Sequence, residues 1–311
     1  MVWRNQNFSS DFILLGIFDH SFTYTFLFSL VLGIFMVAFM GNTTMILLIY
    51  FDTQLHTPMY FLLSQLSLVD LMLICTTAPR MAFNYLSGRK SISLAGCGAQ
   101  IFFYVSLLGA ERFLLAVMAY DRYVAICHPL RYTILMNQKL CVLMTVASWI
   151  LGSLDGIIVL VEVLSLSYCS SLEIHHFFYD VAALFPLSCT DTSAFERLLF
   201  ICCVVMLILP VSVIIISYSH VLRAVIRMSS TESHRKAFTT CSSHLFVVGL
   251  YYGAAMFMYM RPASNHTPDQ DKIVSAFYTI LTPMLTPLIY SLCNKEVSRG
   301  LQKLLRKAKL M

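Results

Sequence analysis

Long apolar runs recur along the chain, at 24–50, 58–78, 99–119, 140–161, 195–220, 237–260 and 273–292, with short polar segments between them. Each approaches or exceeds the ~20 residues that carry a helix across ~30 Å of hydrocarbon. Glycine, proline and serine interrupt several runs, which membrane helices tolerate because the backbone bonds internally and to neighbouring helices. No segment alternates apolar and polar residues as a membrane strand does. The pattern predicts an all-α integral membrane protein, a single seven-transmembrane-helix bundle over 1–311 with tails at 1–23 and 293–311. In the second tail Val297, Leu301, Leu304, Leu305 and Ala308 fall at helical spacing among basic residues, so a short amphipathic C-terminal helix is expected on the membrane surface.

Charge orients the bundle. One set of connecting segments carries Arg131, Lys139, Arg223, Arg227, Arg235, Lys236, Lys295, Arg299, Lys303, Arg306, Lys307 and Lys309. The other carries Arg4, Arg80, Arg89, Lys90, Arg197, Arg261 and Lys272. Positive charge stays in the cytosol, which puts the outer tail at 1–23 and the inner tail at 293–311. The N-terminal stretch lacks the pattern of a cleavable signal, so the first span is expected to direct insertion. Hydrophobic residues make up 58% of the chain and charged ones 12%, against about 25% charged in soluble proteins. That composition fits a plasma-membrane protein and offers no surface for nucleic acid. Asn7 in the outer tail begins a glycosylation sequon, as does Asn265 in the third outer loop, while the one at Asn42 lies inside a span. Most of the ten cysteines sit in apolar runs, and none has structural-zinc spacing. No metal, cofactor or catalytic group is expected.

Asp121-Arg122-Tyr123 closes the third span at its cytoplasmic end. An ion pair there can fold Arg122 back in one state and release it in another. Around it runs Met118-Ala119-Tyr120-Asp121-Arg122-Tyr123-Val124-Ala125-Ile126-Cys127-His128-Pro129-Leu130. Leu55-His56-Thr57-Pro58-Met59-Tyr60 enters the second span, and Lys236-Ala237-Phe238-Thr239-Thr240-Cys241-Ser242-Ser243-His244 opens the sixth. Pro283-Met284-Leu285-Thr286-Pro287-Leu288-Ile289-Tyr290 completes the seventh. Over essentially its whole length the chain resembles the odorant receptors, a branch of the rhodopsin-like G-protein-coupled receptors.

The resemblance implies a small-molecule odorant bound in the outer half of the bundle and a stimulatory heterotrimeric G protein of olfactory type, raising cyclic AMP in sensory cilia. It also implies trafficking chaperones of olfactory neurons and surrounding membrane lipid as partners. Asp121, Arg122, Tyr123, Tyr218, Lys236 and Tyr290 would form the switch and coupling surface. Helical spacing puts Tyr104, Val105, Leu108 and Gly109 on one face of the third span. By resemblance the cavity is completed by Cys202, Cys203 and Met206, by Tyr252, Ala255, Met256 and Tyr259, and by Ala276 and Thr279. That set is mostly apolar, with hydroxyls and no formal charge, so a charged amine would lose its hydration without return. A small, neutral, largely apolar ligand held by one or two hydrogen bonds is expected. Asp70 and Glu111 lie at comparable depth, and with Asn42 the resemblance groups them into a polar pocket for a cation or water. The residue-level alternative is a pair of neutral, hydrogen-bonded acids.

The chain also departs from the family. Tyr179 stands where the family has the loop cysteine that partners Cys97. Cys97–Cys189 is the favoured replacement because it closes the larger segment, with Cys169–Cys189 kept open. Arg112 takes a position usually held by a small residue, where it is expected either to pair with Asp70 or Glu111 or to destabilise the fold. Tyr251 replaces the phenylalanine of a Phe-Tyr-Gly motif. Thr286 and Cys293 are further departures, and together they raise a second reading: a receptor used outside the nose, or one that signals poorly. His175, His176 and Asp180 read as solvated loop residues. A transporter would show inverted repeats and an opsin a lysine within the seventh span, and the chain has neither.

Overall fold

The computed structural model describes residues 11–14, 22–87, 91–168, 173–174, 188–189, 191–227, 231–259 and 277–308. Asn7, Asn265, Ala276, Tyr179, His175, His176 and Asp180 lie outside the described residues. Eight helices carry the described architecture: α1 Phe22–Phe51, α2 Pro58–Ser87, α3 Leu94–Cys127, α4 Gln138–Ser165, α5 Ser193–Arg227, α6 Thr231–Tyr259, α7 Thr282–Cys293 and α8 Lys295–Ala308. Helices α1 to α5 are long and apolar enough to cross a membrane, and α6 holds a shorter apolar run, Cys241–Phe257. A π-helical turn, Phe277–Leu281, leads into α7. Prolines 79, 210 and 287 sit inside α2, α5 and α7; the carbonyl freed by Pro287, that of Pro283, accepts from Asn42 of α1.

Local chemistry sets several boundaries. Ser93 caps α3 by accepting from the Gly96 N–H at 3.2 Å, and Asn137 caps α4 by accepting from Leu140 at 2.9 Å. Asn294 separates α7 from α8, its Oδ1 accepting from the Glu296 and Val297 N–H groups. Each cap satisfies backbone donors that a helix start would leave bare. The amphipathic α8 then lies against the inner ends of α1 and α2. Lys303 Nζ reaches Gln54 Oε1 at 3.0 Å and Asp52 Oδ2 at 3.7 Å, and the buried Tyr60 phenol donates to Glu296 Oε2 at 2.6 Å. Val297 is fully buried beneath it.

α3 is the most enclosed of the long helices and α5 the least. Large apolar side chains such as Leu143, Ile150, Ile201 and Ile215 point outward from α4 and α5, as expected where hydrocarbon is the solvent. Along one side of α3 the packing is backbone to backbone. A Cβ at Gly109 would stand 2.7 Å from the Gly152 Cα, and one at Gly152 would stand 2.5 Å from the Ala110 nitrogen. Small residues permit this approach, the usual device where lipid removes the hydrophobic drive between helices. On the outer side a small sheet forms that the apolar pattern did not announce. β1 (Asp11–Leu14) pairs antiparallel with β2 (Ser91–Ser93) and parallel with β3 (Glu173–Ile174). The strands are four, three and two residues long, too short to produce a periodic signal.

The disulfide expectation needs correction. Cys189 is disulfide-bonded, whereas Cys97 keeps a free thiol with no exposed surface. The Cys189 N–H donates to the Ser167 carbonyl at 2.9 Å, and Tyr168 bridges Ser188. The chain around Cys189 is thus tied to the segment leaving α4, not drawn onto the start of α3. Cys169, the other partner considered, lies outside the described residues.

Two measurements follow. Gly152→Val should introduce overpacking that costs about 1–3 kcal/mol or more and sharply reduce surface delivery, while Gly33→Ala, with open space around it, should leave delivery unchanged. Equal delivery of both variants would refute the close α3–α4 crossing. In non-reduced peptide mass spectra Cys97 should appear as a thiol, alkylated only after unfolding; a Cys97–Cys189 peptide would contradict the fold.

Candidate functional site

Three polar constellations lie along α3. At its C-terminal end Asp121 and Arg122 are both buried, with Arg122 Nη2 3.4 Å from Asp121 Oδ2. Tyr132, from the single helical turn Tyr132–Leu135, donates its phenol to Asp121 Oδ1 at 2.7 Å. Burial, and then the Asp121 carboxylate, push the Tyr132 phenol above its ordinary range, so it stays protonated and able to donate. Tyr123 turns away from this pair and packs edge-on to His128, with His220 on another side.

Behind the latch, Tyr218 of α5 meets His244 of α6, Oη to Nδ1 at 2.7 Å, and His244 Nε2 lies 3.1 Å from the Leu115 carbonyl. A carbonyl only accepts, so Nε2 carries the proton and Nδ1 accepts from the Tyr218 phenol. The imidazole is buried and neutral in this arrangement. Tyr290 is also buried, its hydroxyl without a partner among the described residues. The Lys236 side chain lies outside the described residues.

At mid-depth Asn42 Nδ2 donates to the Ala38 carbonyl at 3.0 Å and to the Pro283 carbonyl at 2.8 Å, joining α1 to α7. Asp70 and Glu111 face each other here, both buried. The Thr286 hydroxyl lies beside Asp70 but donates to the Thr282 carbonyl at 3.0 Å. Among the described residues both Asp70 oxygens, Glu111 Oε1, Asn42 Oδ1, Ser67 Oγ and Thr282 Oγ1 lack a hydrogen-bond partner. An oxygen-only set of this kind suits water or a hard cation. No group of three or more His, Cys, Asp or Glu side chains converges on a metal position among the described residues.

The third constellation lies beneath the expected odorant cavity. Tyr104 and Leu108 are buried on α3 with Val105 half-buried, and Cys202, Cys203, Met206 and Ala255 are half-buried on α5 and α6. Thr279 is fully buried and Met256 is 43% exposed. The Tyr259 side chain lies outside the described residues. Gly109 faces the α4 backbone, which corrects its assignment to the cavity. One turn below Leu108 comes Arg112, buried, its Nε donating to the Tyr251 phenol at 3.2 Å. Tyr251 donates onward to the Leu108 carbonyl at 2.8 Å, and Tyr252 donates to the Arg112 carbonyl at 3.0 Å. Asp155 of α4 faces Arg112, and its field reaches Cys202. Asp70 accepts no hydrogen bond from Arg112, while Glu111, the other partner expected, lies within reach of the Arg112 charge.

Sequence reasoning passed over Tyr132, His244, Asp155 and Tyr251 as site residues. For His244 a signal was available: it ends a specific motif and stands seven residues, two helical turns, before Tyr251. A separate groove of about 640 Å³ opens between α1, α2 and α4 near Tyr50, His56, Phe61 and Gln138. It shares no residue with the three constellations.

The sequence model for the family described as Olfactory receptor matches residues 30–308. Human Olfactory receptor 2M4 is 83% identical over 311 residues, covering all of both chains. Human Olfactory receptor 2M2 is 71% identical over 309 residues, 99% of this chain and 89% of the relative. Mouse Olfactory receptor 2V1 is 60% identical over 302 residues, 97% of this chain and 96% of the relative. With a helical bundle that matches this family model over nearly its whole length, the chain belongs to the olfactory receptor family of seven-helix G-protein-coupled receptors.

Proposed function

We propose that this odorant receptor binds small, neutral, largely apolar molecules in the outer half of the bundle, between α3, α5, α6 and the segment leading into α7. Binding releases the Asp121–Arg122 latch, and the exposed cytoplasmic face activates a stimulatory heterotrimeric G protein that raises cyclic AMP. The receptor works in the plasma membrane of sensory cilia with its N-terminus outside, after delivery by chaperones of the olfactory neuron. Asn42, Asp70 and Glu111 hold water or a cation between the two ends.

One observation carries this reading: Arg122 is held by a carboxylate that is itself held by Tyr132, all at the inner end of the most enclosed helix. A buried pair with one further hydrogen bond has two alternatives, closed on itself or opened onto a partner. The proposed lining residues carry no formal charge, so a charged amine would lose its hydration there without return.

An epitope-tagged receptor, scored for surface delivery and cyclic AMP against a broad odorant panel, tests the proposal. Neutral oxygenated and hydrocarbon odorants should supply the active set; a surface-delivered receptor answering only amines would overturn it. Tyr132→Phe removes one hydrogen bond from Asp121, a loss of about 1.5–3 kcal/mol for a charged acceptor. Ligand-free cyclic AMP per surface receptor should rise roughly fivefold or more. A flat response would remove Tyr132 from the latch.

A further inference from the structure

Two of the family departures meet in space. Arg112 on α3 and Tyr251 on α6 are 139 residues apart in sequence, yet Arg112 Nε donates to the Tyr251 phenol at 3.2 Å. We propose that Arg112 and Tyr251 are a matched pair of positioning residues, a clamp that holds α6 against α3 below the cavity and sets the threshold for receptor opening. The proposal rests on the receptor reading above.

The bond belongs to a ladder. Three α6 side chains reach main-chain carbonyls of α3: Tyr251 to Leu108, Tyr252 to Arg112 and His244 to Leu115. Those carbonyls are four and three residues apart, so they form one stripe down α3. Neutral groups make all three contacts. The Arg112–Tyr251 bond adds a fourth rung in which the donor is charged, and charge-assisted bonds are the stronger kind. A guanidinium cannot shed its charge. If α6 swung away, that charge-assisted bond would be lost, at greater cost than any neutral rung.

Each half explains the other. Phenylalanine at 251 would leave Arg112 Nε against carbon, and a small residue at 112 would leave the Tyr251 phenol only the Leu108 carbonyl. Arg112, expected either to pair with Asp70 or Glu111 or to destabilise the fold, bonds Tyr251 of α6.

The test is a double-mutant cycle on the full-length tagged receptor, using Arg112→Cys, Tyr251→Phe and the two combined. Unfolding temperature is measured in whole-cell membranes, which requires neither surface delivery nor G protein. Ligand-free cyclic AMP per surface receptor is measured in parallel. Each single change should lower the unfolding temperature and raise ligand-free cyclic AMP roughly threefold or more. The double variant should match the larger single effect in both readouts, because the second change removes a bond already lost. Additive effects on unfolding would overturn the pairing, and coupled unfolding with unaltered cyclic AMP would overturn the threshold role. A surface-delivered wild-type receptor for which no odorant of the panel changes cyclic AMP, while forskolin-driven cyclase stays intact, would instead count against the receptor reading. In that case coupled unfolding still supports the clamp itself.

Discussion

Hydrocarbon offers no partner to a polar atom, so every donor inside this bundle must find its acceptor on another helix or on its own backbone. That constraint organises the structure around α3, the helix most removed from lipid. Its carbonyls at Leu108, Arg112 and Leu115 receive α6, its Asp121 receives Tyr132, and its small residues admit the α4 backbone. Asn42 does the same work between α1 and α7. Interhelical bonds of this kind are individually modest, near 1 kcal/mol. Their effect is to fix register: a helix bonded at several rungs moves only by breaking them together.

Polar contacts therefore divide into two sorts along α3. At its C-terminal end, and in the ladder to α6, donors and acceptors are matched. At mid-depth, around Asp70 and Glu111, oxygens outnumber donors among the described residues. A matched set holds one geometry, whereas an unmatched set must recruit something small and mobile, either water or an ion. The rigid elements thus flank a soft one.

The bundle was largely legible in the sequence because its signal is one-dimensional. Apolar length marks a crossing whatever the crossing touches. The motif around Asp121 located the latch for the same reason, as its two main members are adjacent in the chain. Periodicity identifies a face but not the neighbour that face meets. Gly109 shares a turn with Leu108, and about 100° of helical rotation turns one toward α4 and leaves the other beside the cavity. Arg112 shows the same limit with larger consequence. Read alone, a guanidinium at mid-membrane is a liability; its acceptor lay 139 residues away, at a position where the family's pattern offers no hydroxyl.

The outer rim shows why a missing residue is harder to interpret than a present one. Losing the cysteine at Tyr179 left three candidates, and loop-closure entropy favoured joining Cys189 to Cys97. Entropy of the unfolded chain ranks pairings only when the folded geometry allows each of them, and strict limits on Cα separation decide that first. Here the main-chain bond from Cys189 to Ser167 fixes the geometry, leaving Cys97 sealed in the first turns of α3 without a partner thiol. The start of α3 is held instead by its Ser93 cap and by β2 pairing with β1. Backbone hydrogen bonds there take over the anchoring that a covalent link would have supplied, and they do so with ordinary polar atoms at a rim where water can exchange with them.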